Sequence, residues 1–183
     1  ITNVLISISD FLVQRWYVAL LVVFTVVMLL RVIAAVPAVR MELDYMKVQM
    51  PIFGKLHKVV YTARFARTLS SLYSSGMPIA NAISIAGKTI GNIYVENQFD
   101  KVVSRVRSGI PLSQALKEVD GLMRKLSSTI LIGEESGRLD SMLDSIAVTI
   151  EDEAEQATKR MVTLLEPILI IFMALIVGFI MIA

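Results

Sequence analysis

The chain has 183 residues, 55% hydrophobic and 19% charged, which is more apolar than an ordinary globular domain yet too charged for a simple set of membrane helices. A formal net charge of +2 selects no class of partner, and the lack of cysteine excludes disulfides, thiolate metal sites and a cysteine nucleophile. The apolar excess lies in two flanks around a charged middle that is long enough to bury a core of its own.

Trp16 to Leu30 is an uncharged run of 15 residues between Arg15 and Arg31, a little short of the ~20 that a bilayer core requires. The two arginines can extend their stems toward opposite headgroup layers, so the run predicts a membrane helix over about 16–36 behind a short periplasmic segment, 1–15. No basic stretch precedes it and no small-residue cleavage pattern follows it, which argues against a signal peptide. At the far end, the 17 uncharged residues after Glu166 predict a second span over about 161–183. Arg31, Arg40, Lys47, Lys55, Lys58, Arg64 and Arg67 follow the first span, Lys159 and Arg160 precede the second, and only Arg15 lies on the other side. This bias puts the middle in the cytoplasm and both ends outside. The chain begins at Ile1 and stops inside an apolar run, which points to a piece of a longer protein.

Behind a linker, 37–58, apolar residues recur at helical spacing and no stretch alternates long enough for a strand, so the middle is predicted all-α. Phe65, Leu69, Leu72 and Tyr73 mark one face of a helix over about 59–75, which Gly76 ends; Pro78 then suits the first turn of a helix over 78–88. Further helices follow over 93–108, 111–118 and 122–136, and a sixth from 139 onward. No glycine or proline interrupts Leu139 to Glu166, so the sixth is expected to continue into the second span.

The punctuation is periodic. Ser75-Gly76-Met77-Pro78-Ile79-Ala80-Asn81-Ala82-Ile83 matches Ser108-Gly109-Ile110-Pro111-Leu112-Ser113-Gln114-Ala115-Leu116 position by position, 33 residues later. A weaker copy without the proline starts at Ser136-Gly137. Gly76, Pro78, Gly109, Pro111, Gly133 and Gly137 are therefore predicted as structural corners. Charge is segregated as well: Arg40 to Lys125 holds 13 Lys or Arg against 6 Asp or Glu, whereas Leu126 to Thr158 holds only Arg138 against 8 acids. Such halves can pair within one molecule, pair between copies or face two partners.

No catalytic site, cofactor site or metal site is expected. The single histidine, His57, lies in a basic stretch that suits solvent or lipid headgroups better than acid–base chemistry. Glu151 and Glu155 share a helix face, but Lys159 at the next step suits a solvated surface better than a cation cage. Gly133-Glu134-Glu135-Ser136-Gly137 lacks the lysine of a phosphate loop, and the basic half lacks the interleaved aromatics of a nucleic-acid surface, so no directly bound nucleic acid is expected. Two features exceed packing needs. The paired acids Glu134 and Glu135 sit at a helix C-terminus, where the dipole disfavours them, so with Arg138, Glu151 and Glu155 they are candidates for partner binding. Glu166-Pro167 puts a carboxylate at the membrane edge before a ladder-perturbing residue, a candidate intramembrane interface.

Phe65-Ala66-Arg67-Thr68-Leu69, Ser75-Gly76-Met77-Pro78, Gly133 to Leu139 and Leu165-Glu166-Pro167, in that order before a final apolar run, resemble the inner-membrane platform family of type II secretion systems and type IV pilus machines. Ser9-Asp10-Phe11-Leu12 and Pro51-Ile52-Phe53-Gly54 also look like family signatures. The resemblance covers essentially the whole chain; each piece is weak and the ordered set is specific. It implies a multi-pass protein of the bacterial inner membrane, a homo-oligomer without catalysis, in contact with lipid. Its implied partners are a cytoplasmic hexameric assembly ATPase, a pilin or pseudopilin inserted or extracted by the machine, and other inner-membrane assembly proteins. Family members usually carry two copies of a six-helix cytoplasmic domain and three spans, and this chain resembles the second copy with the last two spans. The rival reading is a small transporter or channel subunit in which Arg31 and Glu166 line a polar path, although both groups lie near the cytoplasmic ends of their spans. Secretion, pilus extension and DNA uptake stay open, as do the oligomer number and the surface that meets the ATPase.

Overall fold

The computed structural model describes residues 37–51 and 53–182, and before them only Tyr17, Leu21, Phe24, Thr25, Met28 and Arg31. Those six are helical, and the Thr25 hydroxyl donates back to the Leu21 carbonyl at 2.7 Å. The remainder of the predicted first span and the Ser9-Asp10-Phe11-Leu12 signature lie outside the described residues. The chain divides into two compact units, one of Met41–Met161 and the other of Ile1–Arg40 with Val162–Ala183.

All described elements are helical: α1 (Pro37–Gln49), α2 (Phe53–Ser74), α3 (Ile79–Lys88), α4 (Ile93–Glu96), α5 (Phe99–Arg107), α6 (Leu112–Leu116), α7 (Arg124–Ser136) and α8 (Leu139–Ile182). The expected linker, 37–58, is itself helical in α1 and the start of α2, and α1 turns Asp44 and Val48 inward, each 3% exposed. The expected third helix is split at Asn97-Gln98. There the Gln98 side-chain amide donates to the carbonyls of Tyr94 and Asp120, at 3.1 and 3.2 Å, and its oxygen accepts from the Asp120 N–H at 2.8 Å. Helix α7 starts two residues later than expected, because Met123 is extended and gives its N–H to the Thr62 hydroxyl at 2.9 Å.

Repetition in the sequence becomes repetition in the backbone. At all three corners the residue after the glycine donates to the carbonyl five back, Met77 to Leu72, Ile110 to Arg105 and Arg138 to Gly133, while the glycine donates three back. This is the Schellman closure, and it demands the left-handed φ that Gly76, Gly109 and Gly137 adopt at 84°, 86° and 66°. Pro78 and Pro111 occupy the cap position, one residue before the first helical turn, with nearly equal φ,ψ of −54°, 132° and −53°, 139°. Gly133 is not a corner: it lies inside α7, where a Cβ would stand 3.0 Å from that of Met142 and 3.2 Å from the Leu139 Cα.

Within Met41–Met161, α3 packs on α2 and α5, and α6 on α5 and α7. Phe65, Leu69, Ile83, Ile90, Leu126 and Ile130 meet Leu143, Ile146, Ala147 and Ile150 of α8 in one core, with the Phe65 and Phe99 rings 4.8 Å apart. The close approach of α3 and α5 depends on Gly87, where a Cβ would lie 2.8 Å from Phe99 Cγ. Gly87→Ala is expected to lower the unfolding free energy by about 1–2 kcal/mol, because overpacking outweighs the ~1 kcal/mol gain in helix propensity. Thermal unfolding of the solubilised protein checks this, and a gain in stability would contradict the packing described.

Helix α8 is one element from Leu139 to Ile182, with Pro167 inside it. It holds the one stretch, among the described residues, long and apolar enough to cross a membrane, with mean hydropathy 2.4 and nothing buried. From Val162 to Met181, every position with a described side chain except Gly178 is exposed.

Candidate interaction surface

The acids predicted to meet a partner separate into different environments. Glu134 turns inward: one carboxylate oxygen accepts from the Leu112 N–H at 2.6 Å, and the other from the Ser113 N–H at 3.2 Å and hydroxyl at 2.5 Å. It supplies the cap that Pro111 cannot, since α6 has no capping side chain of its own. Glu135 and Arg138 are exposed, as are Glu155 and Glu166, whereas Glu151 is half-buried.

The opposed charges of the two halves pair in part within the molecule. Arg67 of α2 binds Glu151 of α8 through Nε at 2.8 Å and through Nη2, and its Nη1 lies 3.8 Å from Asp144. Lys125 pairs with Glu153, and Glu155 with Lys159 as the spacing predicts. The Arg67 hydrogen bonds hold the Glu151 carboxyl below its ordinary value of 4.5. Because the folded value is the lower one, the pair stabilises fully above the unfolded value, and the contribution is lost as pH falls through the folded one. Both side chains are about 40% exposed, which limits the pair to about 1 kcal/mol. Glu151→Gln is therefore expected to cost up to ~1 kcal/mol at pH ~7 and almost nothing at pH ~3. Denaturant titrations at the two pH values check it, and an equal cost at both would remove the ion pair as the cause.

Sequence reading missed the polar lock under α1. The Asp44 carboxylate accepts from the Ile93 N–H at 2.9 Å and from Lys47 at 2.7 Å, while its carbonyl accepts from the Asn92 amide at 3.0 Å. Asn92, fully buried, also donates to the Tyr61 hydroxyl at 3.2 Å and caps α4 by accepting from the Val95 N–H at 3.0 Å. The Asn92 N-cap was the one available signal, since asparagine before a helical run favours that position. His57 stacks on Tyr61 at 5.6 Å and is half-buried rather than solvated. Burial, with Lys47 nearby, lowers its pKa from 6.5 against the opposing pull of Asp44.

On α8, Asp140, Asp144, Val148 and Asp152 fall at four-residue steps on one face, and all four are exposed. Ile132 and Glu135 of α7 are exposed too, Ile132 at 57%. Among the described residues, Glu135, Asp140 and Asp152 form no ion pair. Solvent-facing acids interleaved with large apolar side chains offer a partner both charge steering and buried area.

These features define a helical domain that carries a long apolar C-terminal helix and exposed acids on α7 and the start of α8. A family model described as Type II secretion system (T2SS), protein F matches residues 65–183. The type IV pilus assembly protein PilC of Thermus thermophilus is 35% identical over 181 residues, which are 98% of this chain and 45% of that protein. The type II secretion system protein F of Vibrio cholerae is 33% identical over 183 residues, 100% of this chain and 45% of that protein. PilC of Pseudomonas aeruginosa is 30% identical over 187 residues, 100% of this chain and 49% of that protein. The chain belongs to the type II secretion system protein F family, and it spans about half the length of the curated relatives it matches.

Proposed function

We propose that this chain is the C-terminal half of an inner-membrane platform protein of a type IV pilus or type II secretion machine. Its helical domain faces the cytoplasm, where it couples a hexameric assembly ATPase to the insertion or extraction of pilin or pseudopilin subunits. The reading draws its main support from likeness to pilus-assembly and secretion proteins over essentially the whole chain. Exposed acids on α7 and α8 add to it. Glu135, Asp140 and Asp152 carry charge that no cation among the described residues neutralises, and a basic surface on the ATPase, on another copy or on a further assembly protein suits it. Membrane lipid and other copies complete the set of partners. Glu166 and Pro167 serve as a protein-facing point of α8 that engages the membrane helix of the pilin.

The test is charge reversal in the full-length protein, with Glu135→Lys and Asp152→Lys combined. Pilus formation or secretion is expected to fall at least about tenfold, the loss of more than 1.4 kcal/mol of partner affinity, while circular dichroism stays unchanged. Wild-type assembly by that variant would refute these acids as the site of coupling.

A further inference from the structure

Helix α1 turns one side to the bundle and carries an apolar stripe on the side away from it. Asp44 and Val48 point inward, and Asp44 is held there by the Ile93 N–H and the Asn92 amide. Leu43 and Met46 of α1, with Met50 one residue past its end, are spaced three and four apart, and their mean direction lies about 150° round from that of Asp44 and Val48. They are 37%, 49% and 48% exposed and surround an open hollow of about 420 Å³ with Lys47 and Gln49; Phe53, just beyond, is 41% exposed. A surface helix that has already buried its core side has no structural use for an apolar stripe facing away from that core.

We infer that this outer stripe of α1 lies in the headgroup region of an anionic bilayer, so that α1 is an interfacial helix that fixes the domain to the membrane surface. The inference rests on the membrane reading proposed above. Chain distance supports it: α1 begins at Pro37, six residues after the Arg31 that closes the uncharged run. Charge supports it too. Exposed Arg40, Lys47 and Lys55 flank the stripe, with Glu42 the one exposed acid on α1, a pattern that complements anionic headgroups. Size separates lipid from a second protein. Four side chains on α1 and the turn into α2 fall well short of the ~800 Å² per partner that a stable protein interface buries, whereas a helix tethered beside a span needs little area to stay adsorbed.

The chain has no cysteine, so single cysteines report cleanly on a background of the full-length protein without others. An environment-sensitive fluorophore is placed by Met46→Cys, Met50→Cys, Asp152→Cys and Leu169→Cys, and the protein is reconstituted in nanodiscs of phosphatidylethanolamine and phosphatidylglycerol. Lipids with a nitroxide near the headgroup are expected to quench the probes at 46 and 50 at least about twofold more than the probe at 152, and less without phosphatidylglycerol. Quenching at 46 and 50 equal to that at 152 overturns the inference. So does shielding of both probes from lipid nitroxide and aqueous iodide alike, which would mean a protein covers the stripe. The probe at 169 tells the two readings apart: quenched by deep nitroxides, it upholds the membrane span whatever happens at α1; if it is unquenched, the membrane reading and the inference fall together.

Discussion

Asn92→Ala is expected to lower the unfolding free energy by about 3 kcal/mol, combining a lost helix cap of ~1–2 kcal/mol with buried groups left unpaired at ~1–3 kcal/mol. The side chain is fully buried and makes three hydrogen bonds, so alanine strands the Val95 N–H and the Asp44 carbonyl in a dry interior. In thermal unfolding of the solubilised protein this corresponds to a fall of about 10 °C in Tm. Asn92→Asp separates capping from the rest of the network. It keeps the oxygen that caps Val95 but loses the donor to Asp44, and it places a second carboxylate in that buried site. Burial and the Asp44 charge raise the new carboxyl's folded pKa above its unfolded value, so its stabilising share is present at low pH and disappears as pH rises through the folded value. Its deficit against wild type at the same pH is therefore expected to be smaller at pH ~4 than at pH ~7, whereas the alanine deficit stays level. Wild-type stability in Asn92→Ala would show that α1 is not locked to the bundle through this residue.

The sequence made some elements legible and concealed others for physical reasons. The corners at Gly76, Gly109 and Gly137 were readable because a left-handed residue closing a helix is a local demand of the backbone, and glycine meets it with least strain. Helix α1 reads as linker in the sequence because its inward side is half polar. Asp44 occupies a core position through three hydrogen bonds, so apolar periodicity shows on the outer stripe instead. The break between α4 and α5 depends on Gln98 reaching Asp120, 22 residues away, which no window of helical spacing contains. Segregated charge was visible in composition, yet its pairing was not, because Arg67 and Glu151 are 84 residues apart. The same limit applies to the adjacent acids: Glu134 and Glu135 look equivalent in the sequence, and only the neighbouring helix start at Leu112 tells them apart.

That distinction leads to the second large expected effect. Glu134→Ala removes the acceptor of two backbone N–H groups at the start of α6 and of the Ser113 hydroxyl, whose residue is 2% exposed. Hydrogen bonds to a charged group contribute ~1.5–3 kcal/mol, and the stranded donors add desolvation, so a loss of about 2–4 kcal/mol is expected. Glu134→Gln retains one acceptor but turns an N–H toward the Ser113 N–H, so it recovers less than half of the loss. Glu135→Ala, on the exposed side of the same turn, is expected to stay within about 0.5 kcal/mol of wild type. Function should divide along the same line. Loss of assembly in Glu134 variants tracks loss of fold and is restored by lower growth temperature, whereas loss in Glu135→Lys occurs with the domain fully folded and persists at every temperature. Equal stability of Glu134→Ala and Glu135→Ala in denaturant titration would mean that the cap on α6 contributes nothing, and both acids would return to the outer surface as candidates for the same partner.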